Sequence, residues 1–301
     1  MITGSQTDNI ASKYLGKRTN GSATYNPSFL VAVPRYENRE RYNIYSDKLP
    51  FEGYDIWHCY EFSALTESGL PVTRVLKLKY SCESPNIVES KSLKLYLNSF
   101  NMTRLGKNTE DCLKKSAEFI KKDLENILST DVEINFLPDG TEKVEVFSDY
   151  VDLSELVGDG VEVSDYVENP DLLKIEQINE TKNSYYLKFG SLRSNCRVTH
   201  QPDFGELYIY YNSAKAINYE SLVKYLVSFR SEYHFHEECC EMIFKRLYDL
   251  LDEDDELMVA ALYTRRGGID ITPVRYTKGL KNSDIDKIFD LSVFARSGIK
   301  Q

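Results

Sequence analysis

Residues 194–205 (SNCRVTHQPDFG) place Cys196 in a polar stretch between two strand-like runs. Burial in a core does not explain a cysteine in such a stretch. The other cysteines lie in or beside strand and helix patterns and are predicted to be core residues: Cys59, Cys82, Cys112, Cys239 and Cys240. Arg193 and Arg197 would favour the thiolate, which is the nucleophilic form of the side chain. The sequence alone leaves open whether Cys196 is a reactive thiol or an unreactive loop cysteine.

Two further residues of this stretch carry groups that can transfer protons. Asp203 lies in QPDFG, where it either bonds its own backbone in a turn or acts as a general acid with its pKa raised by burial. His200 is an alternative base for Cys196, as in a cysteine hydrolase. The spacing does not decide between these roles, because four residues in an unknown turn fix no geometry.

The carboxyl groups of Glu89 and Glu237 stand at the starts of two predicted helices, in VESKS and FHEE. Acidic residues at helix starts complement the helix dipole, which accounts for both without a ligand. They would also suit a ligand that presents several N–H donors, such as the edge of a guanine-like base. His236 precedes Glu237 and belongs to the same candidate group.

Four basic residues either are solvated or hold the phosphates of a dinucleotide: Lys91, Lys94, Arg265 and Arg266. The sequence has no G-x-G-x-x-G or Walker motif, so a nucleotide would be bound without those loops. No histidine or cysteine at ligand spacing completes a four-ligand site with Cys239 and Cys240, so we expect no metal.

The composition is that of a soluble, core-forming protein, with 42% hydrophobic and 28% charged residues in a chain of 301. A formal net charge of -10 argues against direct binding of nucleic acid through its phosphate backbone. The N-terminus lacks the apolar core of a secretory signal, and no run approaches the roughly 18 apolar residues of a membrane span. Six irregularly spaced cysteines do not form a disulfide framework, so we expect a cytoplasmic protein with reduced thiols.

Hydrophobic periodicity predicts the same order of elements, ββααββ, in both halves of the chain. In the first half the strands are 53–65, 72–80, 132–136 and 142–147, and the helices are 89–100 and 109–128. In the second half the strands are 184–191, 206–211, 256–264 and 269–275, and the helices are 219–231 and 236–251. Residues 1–50 are predicted to form an irregular arm, and residues 148–180 a linker.

This repeat predicts an α+β protein of two tandem modules, 1–150 and 151–301, each an antiparallel sheet with two helices packed on one face. The opening hairpin turns through TESGLP in the first half and through SNCRVTHQPDFG in the second. The closing turns are PDG and RRGG. Because functional residues concentrate in loops carried by a rigid scaffold, the extra length at 194–205 marks a candidate site.

Six motifs in this order resemble those of a known family. They are NPSFLVAVPR (26–35), LPFEGYDIW (49–57), VESKSLKLYLNSFNMTR (88–104), SNCRVTHQPDFG (194–205), YLVSFRSEYHFHEECCEMIF (225–244) and YTRRGGIDI (263–271). Together they span most of the chain and resemble the NADPH-dependent 7-cyano-7-deazaguanine reductases of queuosine biosynthesis, in their two-module form. That family has the tunnelling fold, whose unit is ββααββ.

The resemblance implies that Cys196 attacks the nitrile carbon to give a thioimide, that Asp203 donates the proton, and that NADPH supplies two successive hydrides. The residues implied to hold the deazaguanine are Val88, Glu89, Ser90, His236 and Glu237. Those implied to hold NADPH are Ser90, Lys91, Arg266 and Gly267. His200 then becomes a neighbour of the thiol and not its base. The site would lie at the junction of the modules, in a homodimer without a nucleic-acid or membrane partner.

Two residues depart from the family pattern. Arg197 stands where proline or another uncharged residue is common, and Phe204 where tryptophan is common. Alternatives to the reductase are a related amidine-forming enzyme, which adds ammonia to the same thioimide on modified tRNA, and a non-catalytic purine-binding module. The ESKSLK helix and the negative net charge favour the reductase.

Overall fold

The computed structural model describes residues 24–298. The strands are β1 (Ala32–Pro34), β2 (Glu52–Leu65), β3 (Pro71–Ser81), β4 (Asn86–Val88), β5 (Val132–Leu137), β6 (Lys143–Glu145), β7 (Val151–Asp152), β8 (Ile175–Asn195), β9 (Pro202–Ile217), β10 (Glu256–Tyr263), β11 (Ile269–Tyr276) and β12 (Phe294–Arg296). The α-helices are α1 (Tyr36–Arg41), α2 (Ser90–Asn98), α3 (Thr109–Leu128), α4 (Leu153–Val157), α5 (Tyr219–Ser228), α6 (His236–Leu250) and α7 (Ser283–Phe289).

Eight strands form one sheet in the order β5-β3-β2-β11-β10-β9-β8-β7. Neighbouring strands are antiparallel except β7 and β8, so the sheet is mixed but mostly antiparallel. The predicted α+β class is confirmed. The prediction of a separate sheet in each half is wrong, because β2 pairs directly with β11 and places Trp57 opposite Ile271.

The fourth strand of the first half does not join this sheet. The predicted strand 142–147 shortens to β6, which pairs in parallel with β12 near the C-terminus. The PDG turn therefore does not close a hairpin, and β5 is left as an edge of the large sheet. The halves join at the opposite side of the first-half strands, through β2 and β11.

The four long helices pack on one face of the sheet. Alternate residues of a strand point to opposite faces. In β10, Leu257 and Val259 join the core formed with α5 and α6, whereas Met258 and Ala260 join a second core with Ile285 of α7. Helices α2 and α3 pack on the face occupied by α5 and α6, against the first-half strands. The two predicted helices of each half therefore lie on one face, as expected, and α7, which the sequence did not predict, covers the other face.

The connection between β8 and β9 is shorter than the sequence suggests. Strand β8 continues to Asn195 and β9 begins at Pro202, so the connection is only 196–201. In the first half the corresponding connection is 66–70. The prediction of a long loop at 194–205 is therefore wrong. Ser194 pairs with Asp203 across the two strands, and these polar residues hide the strand periodicity.

Two predicted irregular segments contain regular structure. The predicted linker 148–180 holds β7, α4 and the start of β8. The predicted irregular arm holds β1 and α1, while residues 1–23 of it lie outside the described residues. Both segments have polar sequences, and each contains only a few residues of any one element. Hydrophobic periodicity over so few residues gives little indication of a helix or a strand.

A buried network of charges ties the arm to the sheet and to α6. Arg35 bonds the Asp55 carboxylate of β2, at 2.5 Å from Nη2 to Oδ2. Glu241 of α6 accepts from Arg39 and from Arg275 of β11, at 2.7 and 2.8 Å. Buried charges are tolerated only when they are paired in this way. The network fixes α6, whose first turn lies at the candidate site.

Candidate active site

Cys196 is the first residue after β8, and its thiol is enclosed by the short connection that follows. Cys196 N–H donates to the Gln201 carbonyl at 2.8 Å, and His200 N–H donates to the Cys196 carbonyl at 2.9 Å. The turn requires His200 to adopt a left-handed conformation, with φ of 58°. The backbone N–H groups of Val198 and Thr199 both lie 3.4 Å from Sγ. The thiol is 3% exposed and sits among donors.

The nearest cation to the sulfur is Lys91 of α2, whose Nζ lies 3.3 Å from Sγ. Burial raises the pKa of the Cys196 thiol, but the Lys91 charge and the hydrogen bonds of Thr199 and Val198 outweigh it, and the pKa is lowered overall. A lowered pKa increases the thiolate fraction, which is the reactive form. The cation that favours the thiolate is therefore Lys91 and not the expected Arg193 or Arg197.

The two arginines expected to activate the thiol have other partners. Arg193 donates to the Arg230 carbonyl at 2.7 Å and to the Asn195 side chain. Arg197 forms an ion pair with Glu238, at 2.9 Å from Nη1 to Oε1, and both side chains are buried. Arg197, which departs from the family pattern, thus forms a salt bridge between the connection that carries Cys196 and α6.

Asp203 lies on β9, and its carboxylate is held by two basic side chains. His236 Nε2 lies 3.3 Å from Oδ2, and Arg266 forms an ion pair with Oδ1. Burial raises the pKa of Asp203, but His236, Arg266 and Lys91 outweigh it, so the pKa is lowered overall. The expectation of a pKa raised by burial is wrong. Without ligand, Asp203 is an ionised carboxylate at neutral pH.

His236 begins α6, and its ring is held by Asp203 at Nε2 and by Tyr263 across its face. Its ring stacks on Tyr263 with a centroid separation of 3.7 Å and an interplanar angle of 3°. Burial lowers the pKa of His236 and, with the charges of Arg266 and Lys91, outweighs the Asp203 carboxylate, which raises it, so the neutral imidazole is favoured. Among the described residues no partner bonds its buried Nδ1.

Glu237 follows on the first turn of α6 and is 2% exposed. Burial, and then the nearby Asp55 charge, raise the pKa of its carboxyl to about 8, so it is mainly protonated at neutral pH. Its buried Oε1 has no hydrogen-bond partner in the described part of the chain. A buried polar atom left unpaired is costly, which makes Glu237 a candidate for pairing with a ligand.

Glu89 uses its carboxylate to cap α2. Oε1 accepts from Lys91 N–H at 3.1 Å and Oε2 from Ser92 N–H at 2.7 Å. This is an ordinary N-cap arrangement that satisfies helix-end donors. Glu89 therefore orients Ser90 and Lys91, and it does not itself line the cavity described next.

The candidate residues line one narrow cavity between first-half and second-half elements. Its lining residues are Trp57, Val88, Ser90, Lys91, Cys196, Asp203, His234, Phe235, His236, Glu237, Arg266 and Ile271. The structure thus brings together every predicted site residue except Glu89 and Gly267. A larger cleft elsewhere is lined by Asp47, Glu83 and Tyr248 among others, and no cysteine or histidine is among its described lining residues.

Four lining residues were not singled out from the sequence: Trp57, His234, Phe235 and Ile271. Trp57 and Ile271 look like ordinary core residues of strands, and no pattern distinguishes them. His234 and Phe235 precede α6, and their closeness to Glu237 in the sequence was the available signal.

The RRGG turn before β11 forms the mouth of the cavity. Arg266 is partly exposed there, and Gly267 adopts a φ of 62°, which favours glycine. Lys94 of α2 donates to the Gly267 carbonyl and lies 3.4 Å from Glu61. Arg266, Lys91 and Lys94 therefore meet where a phosphorylated ligand would approach, which fits a dinucleotide.

His200 turns away from the thiol and packs on Tyr233, with ring centroids 4.8 Å apart. A histidine in this position gives no support to a cysteine hydrolase with His200 as base. Phe204, the second departure from the family pattern, is 49% exposed.

In residues 24–298, no helix is long and apolar enough to cross a membrane. The same residues contain no group of three or more His, Cys, Asp or Glu side chains arranged to hold a metal ion.

Two family models match the chain, one in each half. "Nitrile reductase, 7-cyano-7-deazaguanine-reductase N-term" matches residues 22–136, and "QueF-like protein" matches residues 202–282. The first match contains Lys91, and the second contains Asp203, Glu237 and Arg266.

Curated relatives match over nearly the whole chain, and all three described here are called NADPH-dependent 7-cyano-7-deazaguanine reductase. The protein of Colwellia psychrerythraea is 39% identical over 264 residues, covering 87% of this chain and 90% of the relative. That of Legionella pneumophila strain Lens is 38% identical over 276 residues (90% and 92%). That of Hydrogenovibrio crunogenus is 37% identical over 285 residues (94% and 95%).

Proposed function

Because this chain belongs to the family of NADPH-dependent 7-cyano-7-deazaguanine reductases, we propose that it reduces the nitrile of 7-cyano-7-deazaguanine through a covalent adduct on Cys196. The chain is an NADPH-dependent oxidoreductase of queuosine biosynthesis. The adduct and the roles of individual residues are the proposal. One observation carries it: the buried Cys196 thiol, with Lys91 at 3.3 Å, shares a cavity with Asp203 and Glu237.

The first step forms a carbon–sulfur bond. The Cys196 thiolate attacks the nitrile carbon, one C–N π bond becomes a lone pair on nitrogen, and protonation of that nitrogen gives a thioimide. Lys91 and the N–H groups of Val198 and Thr199 stabilise the thiolate before attack. Covalent capture then holds the reacting carbon in place for the first reduction.

Asp203 serves as a proton carrier in this account. Its ionised carboxylate can take the proton of the Cys196 thiol and return it to the nitrile nitrogen, so the step balances without an outside proton. His236 and Arg266 orient the carboxylate.

The heterocycle is held, in this proposal, by Val88, Glu89, Ser90, His236 and Glu237. A protonated Glu237 can donate as well as accept, and its unpaired Oε1 suits the N–H and acceptor edge of a deazaguanine. Glu89 contributes through its cap on α2, which sets the backbone of Ser90 at the cavity wall.

Ser90, Lys91, Arg266 and Gly267 would hold NADPH at the mouth of the cavity. When bound, NADPH supplies the hydrides that reduce the captured carbon. The C–S bond must break between the two reductions, because the second needs a C=N bond. Cys196 then leaves as a thiolate that Lys91 again stabilises. The overall change is one nitrile, two NADPH and two protons to one primary amine and two NADP⁺.

We propose further that residues 1–150 and 151–301 are two tunnelling-fold modules, and that two chains associate as a homodimer. The support is the repeated strand–helix order and the separate family matches of the two halves. In this arrangement the site needs both modules, since Lys91 and Cys196 come from different halves.

The test is to mix the protein with 7-cyano-7-deazaguanine and NADPH and follow the reduced-nicotinamide absorbance. We expect two NADPH to be oxidised for each amine formed, and no oxidation by Cys196→Ala. An absence of NADPH oxidation by the unaltered chain would contradict the proposal. Capture of ammonia in its place would indicate the amidine-forming alternative.

A further inference from the structure

Trp57 is the single tryptophan of the chain, and it lies in the wall of the active-site cavity. It sits on β2, opposite Leu78 of β3 and Ile271 of β11, and it is 0% exposed. It comes from the first half, whereas Cys196 and Glu237 come from the second.

The indole nitrogen of Trp57 is a buried donor without an acceptor. Among residues 24–298, nothing accepts a hydrogen bond from Nε1. An indole N–H can only donate, so the side chain cannot satisfy itself by changing roles. Most buried polar groups in proteins are paired, and an exception calls for an explanation, which a bound ligand supplies.

In residues 24–298, three other buried polar atoms without a hydrogen bond belong to residues of the same cavity, namely Glu237 Oε1, His236 Nδ1 and His234 Nδ1, of which the last lies 3.4 Å from Glu238 Oε2. Together with Trp57 Nε1 they form a set of complementary groups around one small space. On a deazaguanine, the N1–H and N2–H donors that suit Glu237 are flanked by two acceptors, O6 and N3. A fixed donor near Glu237 is therefore matched to one of these acceptors.

We propose that Trp57 Nε1–H donates a hydrogen bond to a heterocycle acceptor, O6 or N3, of bound 7-cyano-7-deazaguanine. Trp57 is thus a specificity-determining residue contributed by the first half of the chain. The proposal rests on the proposed function, because it concerns the substrate of that reaction. A site whose buried polar group needs a partner discriminates strongly against a ligand that lacks it.

The uniqueness of Trp57 allows a direct measurement on the unaltered chain. Protein labelled with ¹⁵N in the indole ring gives one Nε1–H resonance. We expect its proton to move downfield when 7-cyano-7-deazaguanine saturates the site. Of two analogues, one with sulfur in place of O6, which keeps N1–H but is a poor acceptor, and one with carbon in place of N3, one should bind without the full downfield shift. The analogue that fails to produce this shift identifies the atom that accepts the hydrogen bond from Trp57.

A second measurement uses Trp57→Phe, which keeps an aromatic ring and removes the donor. We expect KM for 7-cyano-7-deazaguanine to rise about three- to tenfold with kcat little changed, as for loss of one neutral hydrogen bond. The rise in KM caused by Trp57→Phe should vanish for the analogue that lacks the acceptor. Phe62→Leu is the matched control, because Phe62 is buried in the same apolar cluster but does not line the cavity.

The proposal is overturned if the substrate binds without a downfield shift, if both analogues give the full shift, or if Trp57→Phe weakens all three ligands equally. Turnover by the unaltered chain without the indole shift would overturn this proposal alone. Failure of the unaltered chain to bind 7-cyano-7-deazaguanine, measured by calorimetry, would overturn the proposed function and this inference together.

Discussion

The ammonium nitrogen of Lys91 lies 3.3 Å from the sulfur of Cys196, although the two residues are 105 positions apart in the sequence. Lys91 is on α2 of the first half, and Cys196 follows β8 of the second. The contact forms because the halves share one sheet through β2 and β11. The reactive state of the thiol therefore depends on both halves of the chain.

Replacing Lys91 by methionine should raise the pKa of the Cys196 thiol by on the order of one unit, because it removes the adjacent positive charge. The measurement is the rate of alkylation of Cys196 by iodoacetamide across pH, read from the mass of its peptide. The profile should move to higher pH. Lys94→Met is the control, since Lys94 contacts Gly267 and Glu61. An unchanged profile in Lys91→Met would remove Lys91 as the activating group.

Asp203→Asn should form the covalent adduct slowly and lower turnover by about 10²- to 10⁴-fold, because an amide cannot carry the proton. Adduct is followed by intact mass without NADPH, and turnover by NADPH oxidation. Glu206→Gln, which removes another buried carboxylate from the same strand, should affect turnover much less. Full turnover by Asp203→Asn would exclude a proton-carrying role.

Glu237→Gln should make the protein more stable than its parent at high pH. The usual carboxyl pKa is 4.5, and the folded-state pKa of Glu237 is about 8. At pH values between these two, the native chain keeps a proton on Glu237 that the unfolded chain has lost. Stability of the parent therefore falls as pH rises through this window. We expect the free energy of unfolding of Glu237→Gln to exceed that of the parent by an amount that grows from near zero at pH 4.5 to about 2–5 kcal/mol at pH 9. Urea unfolding at a series of pH values measures this difference. A gain independent of pH would contradict the raised pKa.

Arg197→Met should lower the free energy of unfolding by about 3 kcal/mol, because it removes the arginine that pairs with Oε1 of the buried Glu238 carboxylate. Glu238 also accepts from the Phe235 N–H at the start of α6, so one carboxylate links the cysteine connection to the helix that carries Glu237. We expect Arg197→Met also to slow the formation of the covalent adduct on Cys196.

The matched control for Arg197→Met is Arg193→Gln, since Arg193 bonds the Arg230 carbonyl and the Asn195 amide. Chemical unfolding and the adduct rate are measured for both variants. If Arg197→Met were as stable as the parent, the salt bridge would be of no consequence for the fold.

The sequence predicted the long helices closely, since helix 109–128 coincides with α3 and helix 236–251 with α6 within one residue. Their apolar spacing repeats over several turns, which makes the signal strong. The candidate site residues were chosen through motifs, and all of them except Glu89 and Gly267 line one cavity.

Three features could not be predicted because they depend on contacts between distant segments. The sharing of one sheet depends on the pairing of β2 with β11, strands from opposite ends of the chain, and no local pattern encodes that pairing. The lowered pKa of Asp203 depends on His236 and Arg266 outweighing burial. The activation of Cys196 depends on Lys91, whereas the arginines nearest in sequence bond elsewhere.

The central claim is that Cys196 captures the nitrile covalently before reduction. It is tested most directly by intact-protein mass spectrometry after mixing with 7-cyano-7-deazaguanine in the absence of NADPH. The account predicts a mass increase equal to one substrate molecule per chain, located on the Cys196 peptide, absent from Cys196→Ala and discharged as the amine when NADPH is added. NADPH-dependent turnover by Cys196→Ala, or an adduct on any other residue, would contradict it.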